Sequence, residues 1–246
     1  MSRTLLVVQH EDDCPPALLG GWLTEAGCVL DVRHPYAGEE LPGLAGYDGL
    51  LVLGGPMGAN DDDRHAWLGP TKDLARRAIA DRVPLLGICL GHQLVAAALG
   101  GTVAPNPRGQ QLGLLEVGWT AEGAADELVG PLAQAPAATR GVHWNDDVVT
   151  VPPPGSVLLA TAPGGEVQAL RFAPRAWGVQ LHPEVDTAVL RPWAASDEGS
   201  HEAAGIDQAA LLLAIDEARA ELDAAWRPLA DSFAAVVGRA AGEGGR

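Results

Sequence analysis

Aromatic residues, basic side chains and cysteines are all scarce in this chain, and each scarcity removes a class of function. Phe, Trp and Tyr make up 4% of the 246 residues, and seven of them are Trp, so each large ring is expected to serve packing or a pocket. Lys and Arg number 16 against 32 Asp and Glu, a formal charge of −16. No run of Lys or Arg interrupts that balance, so phosphate backbones and anionic lipid surfaces are poor partners and no nucleic-acid or membrane role is expected. The cysteines, Cys14, Cys28 and Cys89, are odd in number and show no CxxC spacing. That argues against a disulfide framework and fits a reducing compartment. No window reaches the apolar length of a transmembrane helix. The start of the chain runs straight into a strand-like segment, with no signal-peptide pattern. A cytoplasmic location is therefore expected. Internal repeats are absent.

What is present is ordinary for a globular protein: 47% apolar and 20% charged residues, in a length that suits one sizeable α/β domain. Short apolar runs bounded by turn residues, at 4–9, 28–32, 49–53 and 84–89, read as strands buried on both faces. Helical patterns at 17–26 and 65–81 alternate with them, which predicts βαβ units and a doubly wound, mostly parallel sheet. After Gly101 the runs at 112–119, 148–151, 156–160, 167–172 and 177–181 are strand-like, with Gly and Pro clusters between them. They predict appended antiparallel strands. From about Gly205 the pattern turns helical, with Leu211, Ile215, Leu222 and Trp226 on one stripe, a break or restart at Pro228, and a Gly-rich end that should fray. The expected organisation is one α/β domain over 1–195, which would carry any active site, and a helical extension over 196–246 that packs back on it.

The chemistry concentrates at Gly87-Ile88-Cys89-Leu90-Gly91. An apolar strand ends there and a helix begins, with Cys89 at the junction and a glycine two residues to either side. This is the pattern of a nucleophile elbow with sulfur in place of the serine oxygen. The glycines suit a turn where a Cβ would clash, and the helix N-terminus favours thiolate over thiol. A buried structural cysteine is the commoner fate of a free thiol, so the elbow needs support from elsewhere. It comes from Trp177-Gly178-Val179-Gln180-Leu181-His182-Pro183-Glu184, a strand that ends in a His with a Glu two positions on. A thiol nucleophile requires an imidazole to move its proton, and the imidazole a carboxylate to fix its tautomer. Leu53-Gly54-Gly55-Pro56 adds a strand running into a glycine loop, which can offer backbone N–H groups to an oxyanion or serve as an ordinary βα turn.

These three motifs, in this order and spanning roughly residues 4 to 190, resemble the class I glutamine amidotransferases, and most closely stand-alone members similar to the amidotransferase domain of GMP synthase. The resemblance implies a flavodoxin-like α/β fold and a Cys89-His182-Glu184 triad. It implies an oxyanion hole from the N–H groups of Gly55 and Leu90, and a contact from Gln93 to bound glutamine. Gly54 and Asn145 complete the substrate-contacting positions. The reaction implied is hydrolysis of the glutamine side-chain amide through a thioester, with neither metal nor organic cofactor. The tail beyond residue 190 carries no Gly-rich phosphate loop, so an ammonia acceptor is expected on a separate synthetase subunit. One stretch departs from the family pattern. His143-Trp144-Asn145-Asp146-Asp147 stands where relatives often carry Trp-His-Gly-Asp, with Asn145 and Asp146 in place of the His and Gly. That keeps two alternatives open: a γ-glutamyl peptidase or hydrolase acting on another amide, and a non-catalytic subunit that retains the fold.

Other candidates weigh less. Asp61-Asp62-Asp63 reads as a solvated helix start rather than a metal site, because consecutive carboxylates point in different directions. His10, Glu11, Asp12 and Asp13 follow the first strand at the sheet's carboxyl edge, where open α/β sheets bind ligands, and are balanced between pocket rim and plain loop. His92, on the elbow helix, is expected to face away from the sulfur.

Overall fold

The apolar runs become the strands of a mixed sheet in the computed structural model, which describes residues 3–135 and 140–244. In chain order the strands are β1 (Arg3–Val8), β2 (Cys28–Arg33), β3 (Gly49–Val52), β4 (Leu85–Ile88), β5 (Thr102–Pro105), β6 (Gln111–Glu116), β7 (Gly118–Trp119), β8 (Arg140–Asn145), β9 (Asp147–Val151), β10 (Val157–Thr161), β11 (Val167–Ala173) and β12 (Ala176–Val179). The helices are α1 (Ala17–Glu25), α2 (Leu68–Ala80), α3 (Leu90–Ala98), the short α4 (Ala121–Ala124) and α5 (Gly130–Ala133), then α6 (Thr187–Ala204), α7 (Gln208–Glu217) and α8 (Arg219–Gly244).

Eight strands form the main sheet in the order β2-β1-β3-β4-β12-β11-β10-β7. The pairings from β2 to β12 are parallel, and those from β12 to β7 antiparallel. The doubly wound parallel sheet with appended antiparallel strands is thus the observed architecture. Because successive side chains on a strand point to opposite faces, β1 divides between two cores. Leu5 and Val7 pack with Leu19, Leu23, Trp226 and Phe233 on one face. Leu6 and Val8 pack with Leu68, Leu74 and Leu94 on the other.

Four local expectations are corrected. The run at 112–119 is two strands: β6 pairs with β8 in a sheet of its own, while β7 edges the main sheet. Strands β5 and β8 lie where no strand was expected. Helix α2 starts at Leu68 rather than 65, after a turn in which Asp61 O accepts from the N–H groups of Arg64 and His65. Helix α8 runs unbroken through Pro228. A mid-helix proline costs about 3 kcal/mol, and the full burial of Trp226, Leu229 and Phe233 around it offsets that at about 1.5–3 kcal/mol per large side chain.

Helicity also begins earlier than Gly205. Asp186 caps α6, its carboxylate accepting from Ala188 N and Val189 N, and the helix crosses position 195 to end at Gly205 in a left-handed conformation. The Gly-rich end is described only to Gly244, and positions 245 and 246 lie outside the described residues. No described helix is long and apolar enough to cross a membrane.

Candidate functional site

Register brings the sequence motifs together. Strands β4 and β12 are parallel neighbours with Ile88 opposite Val179, so both end at the same edge of the sheet. Cys89 follows one strand by a single residue and His182 the other by three. Strand β3, on the other side of β4, delivers Gly54 and Gly55 to that edge. The segment after β1 brings Glu11, Asp13 and Cys14. Ligands in open α/β sheets bind at this carboxyl edge.

The turn at Cys89 is sterically forced. Cys89 has φ of 49°, one of three non-glycine residues with positive φ among those described, and caps α3. A Cβ at Gly87 would come within 2.7 Å of the backbone of Gly91 and His92, and one at Gly91 would land on the carbonyl oxygen of Val52. Only glycine lets strand, elbow and helix approach this closely. A strained, non-glycine left-handed residue persists where its surroundings over-determine it, a condition common at functional sites.

His182 is 3% exposed, and its Nδ1 lies 2.7 Å from Glu184 Oε1, also on a 3% exposed residue. Its Nε2 takes no hydrogen-bond partner of ordinary geometry among the described residues. Burial alone would push this imidazole down, but the charges of Cys89 and Glu184 outweigh it and raise the His182 pKa to about 10. Gly54 keeps the two side chains within reach of each other. A Cβ there would sit 3.1 Å from His182 Cε1 and 3.6 Å from Cys89 Cβ.

Around this core lies a cleft of about 600 Å³. Gly55, Cys89, Gln93, Asn145 and His182 line it, whereas Gly54 faces the imidazole and the Cβ of Cys89. The N–H groups of Gly55 and Leu90 take no protein partner among the described residues. Gln93 is engaged inward: its Nε2 donates to Asp147 O at 2.9 Å and to Gln180 Oε1 at 3.1 Å. Asn145 Nδ2 donates to Gln111 Oε1 and to Asp147 O. The Asp146 carboxyl is raised by burial and then by Asp197, with His201 opposing. That of Asp147 is raised by burial, then by Asp146 and Asp61.

The weaker candidates also find places. Glu11 and Asp13 line the cleft. His10 is fully buried, accepts from Trp67 Nε1 at 3.2 Å, and is pushed down to about 3 by burial. His92 packs on Phe172 with ring centroids 5.4 Å apart, does not line the cleft, and is pushed down to about 3 by burial. Asp61 accepts from Gly58 N at 2.9 Å and Asp62 pairs with Lys72. Among the described residues no group of three His, Cys, Asp or Glu is placed to hold a metal ion.

Sequence reasoning missed two contributors. Gln180, fully buried, donates from Nε2 to Cys89 Sγ at 3.5 Å and so links the sulfur to Gln93. Helix α6 forms one wall of the cleft through Trp193 and Asp197. Trp193 meets His182 edge-on at 4.9 Å and donates to Asp13 O, while Asp197 accepts from Trp144 Nε1 at 2.8 Å. The aspartate cap at 186 was the legible signal for this helix.

Comparisons with known proteins agree with this fold. The model of the family described as glutamine amidotransferase class-I matches residues 22–193. The glutamine amidotransferase-like protein chry6 of Gibberella zeae is 31% identical over 186 residues, covering 72% of this chain and 71% of that protein. One subunit of the GMP synthase (glutamine-hydrolyzing) of Saccharolobus solfataricus is 35% identical over 164 residues, covering 65% of this chain and 78% of the relative. A crystal structure of a glutamine amidotransferase from Thermotoga maritima superposes with a TM-score of 0.83 at 23% identity, over 95% of this chain and 99% of that one.

Proposed function

The chain belongs to the class-I glutamine amidotransferase family, and we propose that it hydrolyses the side-chain amide of glutamine through a thioester on Cys89. The observation that carries this reading is the strained cysteine at the strand–helix elbow, beside an imidazole held by a buried carboxylate. Cys89 Sγ attacks the amide carbon, the C–S bond forms, and the oxyanion receives hydrogen bonds from the N–H groups of Gly55 and Leu90. His182 hands its proton to the departing nitrogen, the C–N bond breaks and ammonia leaves. Water, deprotonated by His182, then adds to the thioester. The C–S bond breaks, glutamate departs and the thiol is restored. Glu184 holds the Nδ1 proton throughout.

In this reading the enzyme works in the cytoplasm, where its three free, buried cysteines stay reduced. Ammonia passes to a separate synthetase subunit; the name of the relative from Saccharolobus solfataricus supports that assignment. The test is glutamate release by the native chain and by Cys89→Ser, with labelling of Cys89 by a glutamine-derived diazoketone. Wild-type turnover in Cys89→Ser would refute the mechanism. A second reading, hydrolysis of a larger γ-glutamyl amide, is favoured by the Asn145-Asp146 departure and by the size of the cleft.

A further inference from the structure

A sulfur that carries charge needs donors around it, and Cys89 is only 6% exposed, so the protein must supply them. His182 supplies one charge of opposite sign. Gln180 supplies an amide: its Nε2 lies 3.5 Å from Cys89 Sγ. Gln180 is fully buried, and the backbone around it is pinned. Its own N–H donates to Gln168 O, and the carbonyl of the preceding Val179 accepts from Cys89 N, both at 2.8 Å. Amide and sulfur are therefore tied to the same strand end.

An amide can present either its oxygen or its NH2 group, so the end that faces the sulfur is decided by its other partners. Here the decision traces back to the main chain. The carbonyl of Asp147 can only accept, so Gln93 must offer it Nε2, at 2.9 Å. The second hydrogen of that nitrogen goes to Gln180, 3.1 Å away, which must answer with Oε1. Nε2 of Gln180 is then the end left for Cys89. The reversed amide would set an oxygen against the sulfur and an N–H against an N–H. Both contacts are repulsive, and costly in a site buried from solvent.

We propose that Gln180 is a positioning residue that acts through Cys89: a relay of fixed polarity, from Asp147 O through Gln93 to Gln180, holds an N–H on the sulfur and keeps it in place as a thiolate. This role rests on the reading of Cys89 as nucleophile. A donor to the charged form lowers the cost of the charge and does far less for the neutral thiol. The relay spans three segments, the strand end after β12, helix α3 and the start of β9, so the amide keeps its direction only while all three are in register.

Alkylation by iodoacetamide reads the thiolate without any substrate. Cys14 also lines the cleft, so the label is scored on the Cys89 peptide by mass spectrometry. Gln180→Met keeps the reach of the side chain and removes the donor. The acidic limb of alkylation rate against pH is expected to move up by about one pH unit, and the rate below the limb to fall about tenfold, as loss of a hydrogen bond to a charged group would give. The other titratable groups about the sulfur are His182, Glu184 and Cys14, with the cleft carboxylates Glu11, Asp13, Asp61, Asp146, Asp147 and Asp197. All are the same in every variant. Gln93→Leu frees the Gln180 amide to turn and should give part of the shift, while Gln93→Leu combined with Gln180→Met should give no more than Gln180→Met alone. A residue that only packs would slow alkylation at every pH and leave the limb in place. An unmoved limb in Gln180→Met, or shifts that add in the double variant, overturns the proposal. Thermal melting checks folding, and Gln180→Asn, whose amide stops about 1.5 Å short of the sulfur, gives the same reading if the Met variant does not fold. With glutamine, kcat of Gln180→Met should fall about tenfold at neutral pH with KM within about twofold, and recover as pH rises through the shifted limb. A moved limb in a chain that does not hydrolyse glutamine would uphold the relay and refute the hydrolysis. Hydrolysis with an unmoved limb would do the reverse.

Discussion

Replacing Glu184 by Gln separates the electrostatic role of the carboxylate from its shape. The amide is nearly isosteric and still offers an oxygen to His182 Nδ1, now 2.7 Å from Glu184 Oε1. What disappears is one of the two negative charges that hold the imidazolium at a pKa of about 10 despite its burial. A hydrogen bond to a charged group is worth about 1.5–3 kcal/mol, and about 1.4 kcal/mol is a factor of ten. On the proposed mechanism kcat/KM should therefore fall roughly 10- to 150-fold. The direction of the pH effect is also fixed. The imidazolium persists until pH rises through its folded-state pKa, so losing a negative neighbour moves the basic limb of the profile to lower pH. The assay is glutamate release across pH 6 to about 10.5, with the alkylation rate of Cys89 as a measure independent of turnover. Wild-type turnover together with an unmoved basic limb would refute the electrostatic argument. A loss of activity with an unmoved limb would refute it as well, and would leave Glu184 only a packing role.

Three other substitutions or conditions test neighbouring claims. Gly91→Ala places a Cβ on the carbonyl oxygen of Val52 and should cost more than about 3 kcal/mol or abolish folding; denaturant unfolding within about 0.5 kcal/mol of wild type would contradict the packing argument. Trp193→Ala removes an edge contact worth about 0.5–1.5 kcal/mol from His182, so kcat should drop roughly two- to tenfold, with Trp193→Phe recovering most of it. Equal kcat for Trp193→Ala and wild type would make α6 a wall without influence on the imidazole. His10, His92 and His143 are depressed by burial to about 3, 3 and 4. Their folded-state pKa values lie below the unfolded one of 6.5, so their contribution to stability is present above pH 6.5 and lost as pH falls toward 4. At about 1.4 kcal/mol per pH unit for each, the slope approaches about 4 kcal/mol per unit, and acid unfolding should be steep, with a midpoint of about pH 4 to 5 for a stability of about 6–10 kcal/mol, within the ordinary range. His92→Leu should flatten that slope by about one third, and an unchanged slope would show that the imidazole is not buried neutral.

Parts of this protein were legible from its sequence because local and tertiary preferences coincide there. Strands β1, β3 and β4 are buried on both faces along most of their length, so their apolar runs are nearly continuous and hard to mistake, whereas β2, expected to be buried as well, edges the sheet and leaves Val29 exposed. The elbow was legible for a similar reason: the close approach of Gly87 to Gly91, and of Gly91 to Val52, admits no other residue. Strand β8 was not legible, because Arg140-Gly141-Val142-His143-Trp144-Asn145 mixes polar and apolar residues without period. Its buried His143 and Asn145 are accommodated by hydrogen bonds to Gln168 and Gln111, distant partners that no local pattern reveals. The wall formed by α6 was hidden differently. With Pro192, Gly199 and the acidic pair Asp197-Glu198, it has only a short apolar stripe, Leu190 and Ala194 in the core, and is otherwise held by its aspartate cap, by Gln208 on the carbonyl of Ala194, and by contacts from Trp193 and Asp197.

Those single contacts bear on how the cleft is assembled. The elbow, the imidazole and the glycine loop all hang from the ends of β3, β4 and β12, whose hydrogen-bonded register fixes their spacing. Nothing of that kind fixes α6. It reaches the site through one indole hydrogen bond to Asp13 O, one carboxylate on Trp144 Nε1, and His201, which binds Gln110 on the opposite side. A wall seated by Leu190 and Ala194 and by a few side-chain bonds is less constrained than a strand within the sheet, so it adjusts more readily than the sulfur and imidazole can. Chemistry and selectivity are thereby carried by elements of unequal rigidity. Substitutions in α6 and at Asn145-Asp146 should alter which amide is accepted, expressed mainly in KM. Substitutions at the strand ends should alter the rate for every amide alike.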